Sequence, residues 1–166
     1  MERCEECGFG YDLGQAANAG AEIIDGAAEL TGMVLASGMD VRSRRWPQTW
    51  SPLEYACHLR DVLLVQRERV LLARRKDRPS FEPMGRDERV EHDGYADQEV
   101  ADVARQLADA ARLFANVLDR LGPADWDRTL MYNYPSRSER SLRWVAVHTL
   151  HEVRHHTLDV SRQLAV

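Results

Sequence analysis

The chain has 166 residues, 44% of them hydrophobic and 30% charged. That fits one soluble domain, long enough to bury a core without disulfides or metal to hold it together. The formal net charge of −5 argues against a general nucleic-acid binder, which needs a basic surface, and no stretch approaches the roughly 20 apolar residues that span a bilayer.

The first residues, Met1 to Cys7, are acidic and polar, unlike a signal peptide, so the expected location is the cytoplasm. Three cysteines, Cys4, Cys7 and Cys57, are an odd number for a disulfide framework. Residues 1–166 read as one domain, with 1–10 as its cysteine-containing N-terminal tail. Its Cys4-Glu5-Glu6-Cys7 is either a flexible acidic segment with two thiols, half of a second metal site, or a redox-sensitive pair. Of the 22 cationic residues only Lys76 is a lysine; codon bias in a high-GC genome accounts for this more simply than guanidinium chemistry does.

Four segments carry helical periodicity. The first runs from about Tyr11 to Ala36, loosely patterned and containing four glycines, with Gly38 as a stop. The second is the best marked. Ser51-Pro52-Leu53-Glu54 has the form of a capping box with proline at the first helical position, and Trp50 stands where it can staple the turn. Tyr55, Leu59, Val62, Leu63, Val70 and Leu71 continue the apolar face to about Lys76. Arg78 to Tyr95, rich in Pro, Gly and charge, reads as a loop. The third helix spans about Asp97 to Leu121 and ends at Gly122-Pro123. Ala124 to Glu139 reads as a second loop, whose Trp126, Tyr132, Tyr134 and Pro135 either fold over a site or cover one end of the core. The fourth helix runs from about Ser141 to Leu164. Four helices joined in this way form an all-α bundle, in whose core facing helices assemble metal sites. The apolar first and third helices also offer surface for a homodimer.

The chemistry-bearing residues concentrate on the fourth helix. His148, His151, His155 and His156 fall within nine residues, interleaved with Glu152 and Asp159. At about 100° per residue, residues 148, 152, 156 and 159 share one face while 151 and 155 lie on its neighbour. Imidazole and carboxylate side chains at i and i+4 can hold one ion. A third ligand must then come from a facing helix, and His58, within the apolar part of the second helix, is the candidate. Asp61, one turn later, is placed to orient it. Spacing alone also permits a rival triad of His58, His151 and His155. A buried core histidine and a solvated histidine face are the ordinary readings of the two clusters taken singly. Cys57 points about 100° from His58 and reads as a small core residue.

Trp50-Ser51-Pro52-Leu53-Glu54-Tyr55 with His58-Leu59-Arg60-Asp61, followed at a distance by His151-Glu152-Val153-Arg154-His155-His156-Thr157-Leu158-Asp159, resembles the DinB-like (DinB/YfiT) superfamily over essentially the whole chain. That superfamily includes YfiT-type hydrolases and mycothiol-dependent enzymes of the maleylpyruvate isomerase type. The resemblance implies a four-helix bundle holding a divalent metal through one residue of the second helix and an i,i+4 pair on the fourth. It selects His58, Glu152 and His156, the last two followed by Asp159 as in the mycothiol-dependent branch. His148, His151 and His155 remain alternative or additional ligands, and Asp61 and Asp159 become partners that orient the imidazoles. The ion implied is zinc, with nickel, iron and manganese as alternatives. The function implied is thiol-dependent S-transfer or isomerisation, with a low-molecular-weight thiol such as mycothiol and an electrophilic small molecule as partners. The alternatives are hydrolysis by bound water and a non-catalytic metal- or ligand-binding module related to stress.

Overall fold

A computed structural model describes residues 3–36, 38, 40–134 and 136–165; Met1 and Pro135, both named above, lie outside them. Its elements, in chain order, are a 3₁₀ turn at Leu13–Ala17, α1 (Ala19–Leu35), α2 (Pro52–Arg75), β1 (Ser80–Phe81), α3 (Arg86–His92), a 3₁₀ turn at Tyr95–Asp97, α4 (Val100–Leu118), β2 (Thr129–Asn133), β3 (Arg137–Ser141) and α5 (Leu142–Leu164). The long helices α1, α2, α4 and α5 form the four-helix bundle: α1 and α2 each pack on both α4 and α5.

Local chemistry explains the starts of α2 and α5, the two helices that carry the site. Ser51 Oγ accepts from Glu54 N–H and the Glu54 carboxylate accepts from Ser51 N–H, a complete capping box with Pro52 behind it. Trp50 meets Tyr55 edge-on at 5.5 Å, which is the hydrophobic staple. Glu54 is further held by Arg44 at 2.6 Å. Ser141 caps α5 by accepting from Trp144 N–H. On α4, Val103, Leu107, Ala110, Ala111, Phe114 and Leu118 are buried at three- and four-residue spacing.

The structure corrects four expected boundaries. The first helix is interrupted: Asn18 closes the 3₁₀ turn before α1 begins, and Tyr11 lies outside both. The third helix is shorter, Val100–Leu118. The expected loop at 78–95 contains β1 and α3. Gly85, at φ +65°, adopts the left-handed conformation that turns the chain into α3, a local signal that Pro and Gly content alone reads as a plain loop. The expected loop at 124–139 contains the β2–β3 hairpin, with Leu130 and Tyr132 buried on one face. β2 pairs antiparallel with β3 and parallel with β1, so β1 joins the hairpin into a three-stranded sheet, Ser80 opposite Met131. The sheet is a small addition to an otherwise helical fold. Among the described residues no helix is long and apolar enough to cross a membrane.

The N-terminal segment is not a loose tail. Cys4 N–H donates to Phe9 O and Gly8 N–H to Cys4 O, both at 2.9 Å, and Arg3 bridges Gly10. The result is a tight hairpin whose Phe9 is buried in the core.

α1 and α5 approach closely at Gly26, where a Cβ would stand 2.6 Å from Val153 Cγ1. Valine is stiff at χ1 and cannot swing aside. Gly26→Ala is therefore expected to destabilise the fold by about 1 kcal/mol, the overpacking cost exceeding the helix-propensity gain. Urea denaturation measures it, and an unchanged or raised midpoint would contradict this packing.

Candidate metal centre

α2 and α5 bring His58, Glu152 and His156 together: one ligand atom from each lies within 4.8 Å of the others. His58 is 2% exposed, with its ring between Trp50 at 4.9 Å and His156 at 5.0 Å. Its Nδ1 is buried and has no hydrogen-bond partner among the described residues. A buried imidazole nitrogen left unpaired costs about 1–3 kcal/mol, an expense that a ligating role explains and a hydrogen-bonded core histidine does not. His156 Nε2 lies 3.6 Å from Glu152 Oε2, close to the separation of two ligand atoms on one tetrahedral ion, roughly 3–4 Å. His156 Nδ1 lies 3.0 Å from Asp159 Oδ2, so Asp159 fixes the ring and leaves Nε2 for a ligand. The residues present fit a divalent ion.

The electrostatics divide the cluster. Burial, with the nearby His156 charge, pushes His58 down to about 3, so it is neutral and ready to ligate. Burial acts the same way on His156, but the Asp159 and Glu152 carboxylates outweigh it and raise that residue to about 9. Burial works against ionised Glu152 too, yet bonds from His151 and His156 hold it well below the usual carboxylate range.

The remaining predicted residues go elsewhere. Asp61 does not orient His58. Its carboxylate accepts from Arg60 at 2.8 Å, Tyr95 at 2.7 Å and Arg89 at 3.0 Å, tying α2 to α3 and the second 3₁₀ turn. His148 stacks on Trp144 at 4.4 Å, meets the Tyr11 hydroxyl at 3.0 Å and groups with His151 and Glu152. Among the described residues His151 and His155 group not with His58 but with Cys4 and Cys7, so the rival triad is not assembled. The one-residue step from 152 to 151 turns the side chain about 100° away from α2. Within the hairpin, burial opposes the Cys4 thiolate, but the Cys7 N–H, the His151 imidazole and the Glu6 N–H bring that thiol down to about 6. Cys57 is buried, as a core residue should be.

The three grouped residues line a cavity of about 480 Å³. Its walls include Gln66 and Arg69 from α2, Arg86 from α3, and Tyr132 and Tyr134 from the hairpin. The aromatic segment therefore folds over the site. Arg69 reaches the Tyr132 hydroxyl at 2.9 Å and Glu82 O at 3.0 Å. Gln66 and Arg69 were not singled out in the sequence, though their polarity on a buried helical face was the available signal. Tyr11 had no such signal.

The pattern of the DinB superfamily matches residues 34–160. The chain belongs to the DinB superfamily. The solved structure of YfiT from Bacillus subtilis, described as a probable metal-dependent hydrolase with an unusual four-helix bundle topology, is similar with a TM-score of 0.79. The likeness covers 98% of this chain and 91% of that one at 13% identity, and so shows the fold alone. No curated protein matches. Membership in the DinB superfamily does not by itself select the mycothiol-dependent branch.

Because His156 holds a proton up to about pH 9, ion binding at neutral pH must displace it. Affinity for zinc is expected to rise about tenfold per pH unit from pH 7 towards 9 and then level off. Calorimetry in buffers of different ionisation enthalpy should count about one proton released per ion at this centre. A pH-independent affinity would remove His156 from the ligand set.

Proposed function

We propose that this DinB-superfamily protein is a metal-dependent enzyme in which His58, Glu152 and His156 hold a divalent ion and a low-molecular-weight thiol attacks an electrophilic small molecule. The observation that supports it is the unpartnered, neutral His58 set against an ionised i,i+4 pair on the wall of a cavity large enough for a small molecule. Three protein ligands leave one position open on a zinc-class ion. When bound, such an ion turns a thiol into a thiolate, or a water into hydroxide, near neutral pH.

The chain's own residues supply the rest. His58 gives a neutral nitrogen and Glu152 a negative charge, so the ligand set offsets only part of a divalent charge. Asp159 holds the His156 ring in one orientation. Arg69 and Arg86 bring fixed positive charge to the cavity wall, which suits a substrate or thiol carrying a carboxylate or similar anion. Tyr132, buried behind Arg69, limits access of water on that side. Zinc suits a mixed nitrogen and oxygen set that must also accept sulfur; nickel, iron and manganese are the alternatives. A mycothiol-type thiol is the partner proposed from the register of Glu152, His156 and Asp159.

A second reading, hydrolysis by bound water, is favoured by the description of YfiT. One experiment separates them. Zinc-loaded protein is incubated with monobromobimane and a panel of thiols including mycothiol; the thiol proton is lost, a sulfur–carbon bond forms and bromide leaves. Conjugation above the uncatalysed rate is expected, falling at least about 100-fold in His58→Ala, as for loss of an essential ligand. Conjugation that survives His58→Ala overturns the metal-thiolate reading. Thiol-independent cleavage of an activated ester or amide that His58→Ala abolishes selects hydrolysis. Neither activity with any thiol or ester returns the protein to a binding role.

A further inference from the structure

The primary centre leaves further ligand-type side chains unused, and four of them meet on the adjoining face of α5. One ligand atom from each of Cys4, Cys7, His151 and His155 lies within 4.8 Å of the others. The hairpin at the N-terminus brings the two cysteines there. Cys4 and Cys7 bracket a turn closed by Gly8 N–H donating to Cys4 O, with Gly8 at φ +74°, a conformation that favours glycine. The two histidines come from one helix at i and i+4, the spacing that lets two imidazoles reach one ion.

Each imidazole has one nitrogen engaged and the other directed to the cluster. His151 Nδ1 meets the Tyr11 hydroxyl at 2.9 Å, while its Nε2 is buried with no hydrogen-bond partner among the described residues; the residue is 9% exposed. His155 Nε2 lies 3.2 Å from Glu6 Oε2 and 3.5 Å from Asp159 Oδ2, while its Nδ1 is 3.6 Å from Cys4 Sγ. That last separation is already the edge of a tetrahedron around zinc. A ring held on one side by a hydroxyl or carboxylate, with its other nitrogen turned to the cluster, is the usual arrangement of a ligating histidine.

We propose that Cys4, Cys7, His151 and His155 form a second metal site, a closed Cys₂His₂ centre for a zinc-class ion, that fastens the N-terminal hairpin to α5. The set has four protein ligands and no open position, which marks a structural rather than a catalytic site. Its ion holds Tyr11 against His148 and His151, so the back of the primary cavity is completed by a segment outside the bundle. The site stands on residues other than His58, Glu152 and His156 and is independent of the proposed reaction.

The test is the zinc content of the reduced full-length protein, with cobalt(II) reconstitution alongside. Wild type is expected to retain about two ions per chain, and Cys4→Ser/Cys7→Ser and His58→Ala about one each. Cobalt-loaded wild type and His58→Ala should both show thiolate-to-cobalt charge transfer, and Cys4→Ser/Cys7→Ser should lose it. About one ion per chain, lost with the cysteines and indifferent to His58→Ala, would support this site and sink the primary one. Zinc content unchanged by loss of both cysteines, or a cobalt spectrum without thiolate bands, overturns the proposal. Should the double variant not fold, alkylation of wild type decides: iodoacetamide is expected to label Cys4 and Cys7 only after chelation. Rapid labelling of both with zinc present, or a Cys4–Cys7 disulfide that persists in the zinc-loaded protein, overturns it equally.

Discussion

Glu152 is the interaction on which the site depends. A carboxylate with 22% of its side chain accessible must be compensated or it takes up a proton. Here three imidazoles surround it on its own helix: His151 Nδ1 at 3.5 Å and His148 Nε2 at 3.8 Å from one oxygen, and His156 Nε2 at 3.6 Å from the other. The two oxygens thus face different neighbours. Oε2 faces His156, which groups with His58 of α2, and Oε1 faces His148 and His151, which both meet the Tyr11 hydroxyl. Rotating α5 to improve one side would spoil the other.

The bundle therefore has to hold α5 at one rotation, and its packing does so. Leu150 and Val153 are fully buried between the histidines and Val160 beyond them, and Val153 sits against the bare backbone of Gly26. Ser141 fixes the start of the helix. On the facing side the capping box fixes the start of α2, so His58 falls two turns in and within reach of α5. Asp61 belongs to the same logic at one remove. By gathering Arg60, Arg89 and Tyr95 it anchors α3, and α3 delivers Arg86 to the cavity wall.

Much of this was legible in the sequence because it is written in local rules. The capping box, the staple, the apolar stripe of α4 and the i,i+4 ligand pairs each depend on residues within one or two turns. Three things were not legible. The first is which α5 pair faces α2: periodicity separates 152/156 from 151/155 but gives no absolute rotation, which tertiary contacts such as Val153 on Gly26 decide. The second is the sheet. β1 has two residues and gains its identity only by pairing with β2 some 50 residues later, so no local pattern announces it. The third is Tyr11 and the cysteine hairpin, whose partners His148, His151 and His155 lie about 140 to 150 residues away. Asp61 was misread for a related reason: adjacency to His58 on the helix suggested a shared role, whereas the arginines that claim its charge come from two different elements.

These long-range pieces explain how a plain bundle acquires a specific cavity. His148 stacks on Trp144, Tyr132 packs edge-on against both, and Tyr11 closes the row from the other end. The row joins the hairpin sheet to the N-terminal segment across the surface of α5. Tyr132 and Trp144 belong to the buried core as well, and Tyr132 and His148 line the cavity. The helices fix where His58, Glu152 and His156 meet, and the appended sheet shapes the cavity beside them. Substitutions in the core, including Phe9 and Leu130 of the appended segments, should then act through stability, while substitutions of sheet residues that face the cavity should act through the choice of substrate, the division expected when function is grafted onto a scaffold. The histidine-rich helix serves both layers, with neighbouring registers turned to the bundle on one side and to the N-terminal hairpin on the other.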